Sequence, residues 1–330
     1  MIRLILALFL FIQVLSAFPA LSAMSFQAVH SHPAGSPQHK GLLKLSELVR
    51  ERTGGEIIID VFPGSQLGAD KDLIEALQNA DLDITCISSS SLSGQLKSYN
   101  AFELPFVFPD VKSARLVLDG PIGQEALDDL DKLNLIGLAY FENGFRQIGG
   151  KKQLAHPGDI KNLKVNTSDN RIQLTALEAL GATPTSLTLT EVDGALRQGD
   201  IDAWNTFIPI LTRPEYHDDI KYISVNNFFY SPALLIVSKT AWTSLSPEQQ
   251  IVFREAARDA SDYQRSEMDS LIAESLNAFK SAGGKVAYGD HLEWLAPLVN
   301  FYKEYEGAGG KEPLDKILKT LKGQAGGTEE

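Results

Sequence analysis

Cysteine is almost absent: the 330 residues contain one, Cys86. An internal disulfide is therefore excluded. Cys86 lies in the apolar run Ile84-Thr85-Cys86-Ile87 and reads as a buried structural thiol. Beyond the first fifteen residues, no apolar run approaches the roughly 18 residues of a membrane span. Positive charge is scarce, with 30 Lys and Arg against 42 Asp and Glu. That balance argues against nucleic acid or an anionic membrane as a partner. Catalytic signatures are missing as well. A hydrolase needs a nucleophile held by a base, and no Gly-x-Ser-x-Gly elbow occurs. His30, His32 and His39 cluster in sequence, but no cysteine or closely spaced acid joins them as a metal set. Gly307-Ala308-Gly309-Gly310-Lys311 lacks the following Ser/Thr and the preceding strand of a phosphate loop. It reads as a loop between C-terminal helices. No catalytic residue, metal or cofactor is expected.

What is present begins with an export signal. Arg3 precedes the apolar stretch Leu4 to Leu15, and Ser16 to Ala23 is rich in small residues. This is the pattern of a secretory signal peptide, residues 1–23, cut near Ala23. Its removal deletes Arg3 and no acid, leaving 29 − 42 = −13 charges. An exported chain with a short signal and no disulfide suggests a bacterial periplasm.

The rest alternates between strand and helix. Strands are expected at Phe26–His30, Glu56–Phe62 and Leu82–Ile87, with helices at Gly41–Thr53 and Ala69–Asn79 between them. A second set follows: strands at Leu135–Tyr140, Leu163–Thr167, Ser186–Leu189 and Ile201–Trp204, helices at Asn170–Leu180 and Glu191–Gln198. The fold class is α/β, in two lobes. Ser246-Pro247-Glu248-Gln249 then combines an N-cap serine, a proline at the first helical position and a glutamine three residues after the cap. The apolar period that follows implies one helix of roughly 35 residues, about 50 Å long. A helix of that length exceeds one small domain and is expected to bridge two. Polar groups at strand ends in such a chain meet where ligands bind. Three such groups stand out: Glu142 to Arg146, Lys164 to Ser168 and Asp202 to Thr206.

Several segments, in order, resemble the periplasmic solute-binding proteins of TRAP (tripartite ATP-independent periplasmic) transporters, the DctP-like group. They include Phe62-Pro63-Gly64-Ser65-Gln66-Leu67-Gly68, Leu104-Pro105-Phe106, Glu142-Asn143-Gly144-Phe145-Arg146, Ala195-Leu196-Arg197-Gln198-Gly199 and Leu245-Ser246-Pro247-Glu248-Gln249. The resemblance covers almost all of the mature chain. It implies a two-lobed periplasmic-binding-protein fold, with a ligand cleft between the lobes and a long helix bridging both. It implies capture of a small organic solute by hinge closure, and delivery to a small and a large integral membrane subunit. It does not imply an enzyme. The expected division is residues 24–143 with about 233–270 for the first lobe, and 144–232 with about 271–323 for the second. Residues 324–330 are expected to be a disordered tail, and the protein a monomer.

The resemblance also places site residues. Arg146 matches an arginine that faces the family cleft and can bind a carboxylate through two parallel hydrogen bonds. Asn166 stands where the family carries the arginine that usually clamps a carboxylate. Asp169, Asp193 and the run Trp204-Asn205-Thr206-Phe207 also depart from the family pattern. Those changes suit an amine or amino alcohol such as ethanolamine, or a sugar or polyol, as well as a small organic acid. Trp204 and Phe207 can equally be core, and Asp193 a solvated residue of a helix first turn. His30, Ser88 and Ser89 at strand ends of the first lobe, and Tyr230 at a hinge crossing, complete the candidate set. Two other classes stay open: a secreted α/β hydrolase-type enzyme using His30 and the serines, and a ligand-binding partner of a sensor kinase.

Overall fold

A computed structural model describes residues 23–325; the predicted signal peptide and the residues after 325 lie outside it apart from Ala23. Strand β1 (Met24–His30), helix α1 (Pro37–Arg52), β2 (Ile57–Phe62), α2 (Asp70–Gln78) and β3 (Ile84–Ser88) form the first α/β unit, and helices α3 (Val111–Asp119) and α4 (Pro121–Asp128) follow. β1 pairs in parallel with both β2 and β3. Helix α1 starts earlier than its apolar period suggests, because Ser36 caps it through the His39 N–H and Pro37 fills its first turn. The second unit holds β5 (Lys164–Asn166), α5 (Arg171–Ala179), β6 (Thr183–Thr185), α6 (Leu189–Gln198) and β7 (Ala203–Phe207). β5 pairs in parallel with β6 and β7. The strand expected at Ser186–Leu189 lies three residues earlier, and Leu189 already opens α6.

Two long antiparallel strands join the units. These are β4 (Leu135–Gly150) and β8 (Tyr222–Ser238). The near half of β4, Leu135 to Glu142, pairs with Pro232 to Ser238 of β8, which in turn pairs with β3. The far half pairs with the start of β8 and with β7, and β8 there also pairs with the short β9 (Lys285–Tyr288). One nine-stranded sheet results, in the order β2-β1-β3-β8-β4-β7-β5-β6 with β9 beside β8. The apolar run read as a strand ending at Tyr140 thus continues through the polar group Glu142 to Arg146. A bulge between Glu142 and Gly144 separates its two halves, and Gly144 has φ +85°, which glycine adopts without strain.

Helix α7 (Pro247–Ser281) is 35 residues long, as its pattern requires. Phe253, Ala256 and Ala260 near its start pack with Leu42, Leu45 and Phe141. Phe279 near its end packs with Val192, Leu196 and Trp204. It therefore bridges both lobes. Gln264 at its middle accepts the Glu142 N–H at 2.9 Å and donates to the Glu142 carbonyl at 2.8 Å, pinning the helix to the bulge. No helix of the described residues is long and apolar enough to cross a membrane.

The C-terminal segment departs from the expected division. Helix α8 (Lys311–Ala325) packs on the first lobe: Ile317 lies by Ala101, Phe102 and Ala126, and Lys316 pairs with Glu125 at 2.9 Å. Its apolar face covers first-lobe core, so the segment crosses back. The helix also runs through Gln324 and Ala325, the first two residues of the expected tail.

Candidate functional site

An open cavity of about 710 Å³ lies where the C-terminal strand ends and helix N-termini of the two lobes face each other. The first lobe contributes His32, Gln38, Asp70, Lys71 and serines 31, 36, 65, 88, 90 and 91. Asn143 and Arg146 come from the hinge strand. Phe207, Pro209, Ile210 and Arg213 come from the second lobe, and Met268 and Leu271 from α7.

Arg146 is nine-tenths buried. Its Nε donates to Asn205 Oδ1 at 3.4 Å and a terminal nitrogen donates to the Asn205 carbonyl at 3.2 Å. Its guanidinium lies 4.8 Å from the Phe207 ring centroid. Burial pushes its pKa down to about 10, against the opposing field of Glu103, so it stays charged at neutral pH. It has no ion pair among the described residues, and nor do Lys71 and Arg213. The only carboxylate in the lining, Asp70, accepts Ser31 Oγ at 2.8 Å, the Ser88 N–H at 2.8 Å and Ser91 Oγ at 3.2 Å. The cavity is thus rich in unpaired positive charge, in a protein that is acidic as a whole.

Three predicted residues line this space: Arg146, Phe207 and Ser88. Others stand one layer behind it. Thr167 and Arg146 both donate to Asn205 Oδ1, and Asn205 Nδ2 donates to the Gln147 carbonyl at 3.3 Å. Asn205 positions the arginine. Ser89 is fully buried and donates to Glu103 at 2.6 Å, and Gln173 reaches the other Glu103 oxygen at 3.0 Å. Burial raises the Glu103 carboxyl's pKa, which these hydrogen bonds and Arg146 oppose. Thr206 is buried outside the lining, on the opposite strand face from Asn205 and Phe207.

The remaining predictions fall elsewhere. Asn166 does not line the cavity. Its Oδ1 accepts the Leu187 N–H at 2.7 Å and Thr185 Oγ1 at 3.2 Å, so it ties β5 to the chain after β6. Asp169 is exposed outside the cavity. Asp193 pairs with Arg197 one turn along α6 at 2.8 Å, as a solvated helix residue does. Trp204 is core, edge-on to Tyr216 at 5.4 Å. Tyr230 is buried outside the lining and donates to Glu142 at 2.6 Å. His30 is fully buried, with Nε2 at 2.9 Å from His39 Nδ1. Among the described residues no group of His, Cys, Asp and Glu forms a metal set.

Sequence reasoning missed His32, Lys71, Arg213 and the apolar lining from α7. Lys71 follows the N-cap of α2, where a helix start aimed into a cleft was a usable signal. Arg213 lies after a short helical turn at Ile208–Leu211, with no local pattern to mark it.

The comparisons agree with this architecture. The family model for bacterial extracellular solute-binding protein, family 7 (DctP), matches residues 28–307. The 2,3-diketo-L-gulonate-binding periplasmic protein YiaO of Escherichia coli is 31% identical over 84% of this chain and 85% of its own length. A TRAP periplasmic solute-binding protein of Ochrobactrum anthropi, solved with its C-terminus in the ligand pocket, superposes with TM-score 0.89 at 29% identity, over 93% of this chain and 97% of that one. A second, from Polaromonas, bound to D-erythronate, gives TM-score 0.81 at 29% identity over 89% and 98%. The chain belongs to the DctP family of TRAP periplasmic solute-binding proteins, which bind and carry solutes and are not enzymes.

Proposed function

We propose that this protein captures a small organic acid in the cavity between its lobes and delivers it to the membrane subunits of a TRAP transporter. The observation that carries the reading is Arg146: buried, charged, opened to the cavity and paired with no carboxylate among the described residues. A buried cation whose nearest carboxyl, Glu103, acts only through its field is costly, and a ligand carboxylate in direct contact lowers that cost. Lys71 and Arg213 add to the same field. An amine such as ethanolamine would meet three cations and one carboxylate, Asp70, whose oxygens are already occupied. The acids bound by the relatives support the same class. Arg146, Phe207 and Ser88 are the predicted residues retained as ligand contacts, with Arg213 added. The chain would act after export and cleavage near Ala23, and its lobes would meet at the bulge at residues 142–144.

Thermal shift and calorimetry against small hydroxy and oxo acids, ethanolamine and polyols test this. An acid at 100 times its Kd adds about 2.7 kcal/mol of stability. The Arg146→Gln variant should lose at least about 100-fold in affinity, near 3 kcal/mol. A shift with ethanolamine or polyols alone would overturn the acid reading.

A further inference from the structure

The two walls of the cavity differ in chemistry. Resting on the organic-acid reading above, we infer that the preferred acid has an apolar body, branched or aromatic, rather than a polyhydroxylated one. Phe207, Pro209 and Ile210 of the second lobe form one apolar surface with Met268 and Leu271 of α7. Four of these five, all but Met268, are only partly buried and hold apolar area open toward the cavity. Apolar surface exposed in an otherwise well-packed protein marks a place that something apolar covers.

The opposite wall carries the second observation. Its serines look suited to a sugar acid, yet most of their hydroxyl protons are already committed. Ser31 and Ser91 donate to Asp70, Ser65 donates to the Ser31 carbonyl, and Ser88 and Ser90 share a hydrogen bond at 2.9 Å. Gln38 Nε2 is taken by Asn143 Oδ1 and the Glu142 carbonyl. A chain of ligand hydroxyls would find few free donors among these serines and Gln38, and hydroxyls turned to the other wall would face apolar surface. Burying polar groups without partners is what discriminates strongly between ligands. The arginines fix the acid end, and the branched or aromatic end lies against Ile210 and Leu271.

Calorimetry on the purified mature protein with mandelate, 2-hydroxy-3-methylbutanoate, D-erythronate and D-glucuronate reads the preference. The first two should bind at least about tenfold more tightly than the last two. Ile210→Ser and Leu271→Ser, checked for an unchanged melting temperature, should each weaken mandelate about fivefold or more and leave erythronate within about twofold. Tighter binding of erythronate or glucuronate than of the apolar acids overturns this inference and leaves the acid reading intact, provided Arg146→Gln abolishes binding. Failure of every acid to bind overturns both. If the serine variants unfold, the wild-type ranking alone decides.

Discussion

At the residue scale, the pocket is set by which polar groups are already occupied. Asn166, expected from the family resemblance to stand where an arginine is usual, has its acceptor fixed by the Leu187 N–H. Sequence identified that substitution; it could not show that the side chain turns away from the cavity and ties two strand ends together. The positive charge at the cavity comes from Arg146, Lys71 and Arg213. His30 offers a separate test. Burial and the nearby rings of His32 and His39 lower its pKa to about 3, below the unfolded value near 6.5. The folded state thus refuses a proton that the unfolded chain takes up. Stability is fully present above pH 6.5 and is lost as pH falls toward 3. Chemical denaturation of wild type and His30→Gln between pH 6.5 and 5 should show the variant's pH slope smaller by about 1 kcal/mol per unit. Equal slopes would mean His30 does not titrate as its burial demands.

At the element scale, the hinge is a polar knot on the bulge of β4. Glu142 accepts two hydrogen bonds from Arg115, at 2.5 and 3.1 Å, and one from Tyr230. Arg115 also reaches Asp269 of α7 at 2.8 Å. Glu142 is 1% exposed, so removing its cation leaves a buried charge unpaired. Arg115→Gln should destabilise the fold by about 3 kcal/mol and lower the melting temperature by several degrees. A change within experimental error would show that Tyr230 and the backbone suffice. Local pattern made much of the fold legible: the α1 and α2 faces, the parallel units and the capping box of α7 all follow from short-range spacing. β8 was expected only as a hinge crossing at Tyr230 and given no strand bounds, although its apolar second half pairs with two strands, because a strand that changes partners midway has no single local pattern. Trp204 and Asp193 have the right residue types for a cation site. Their roles are decided by packing against Tyr216 and by Arg197, contacts that sequence spacing alone left undecided.

At the scale of the whole molecule, β4, β8 and α7 cross between the lobes, and the C-terminal segment before α8 crosses back. Two strands with a bulge between their halves, and a helix held at its middle by Gln264, would permit rotation while limiting separation. We expect the ligand to shift an open–closed equilibrium by touching both lobes, since only differential affinity moves such a balance. Small-angle scattering with saturating acid should show a smaller radius of gyration than without it, and Arg146→Gln should abolish the change. An identical curve with and without bound acid would count against closure.

The position of β8 also bears on biosynthesis. In the first lobe it lies between β3 and β4, so these two strands have no common partner until residues 233–238 have been made. A nascent or truncated chain ending before that point carries two unpaired strand edges, the kind of surface that aggregates or is seized by other chains. The same delay keeps the first two-thirds of the polypeptide from closing its sheet early, which would suit an exported chain that folds only after crossing a membrane.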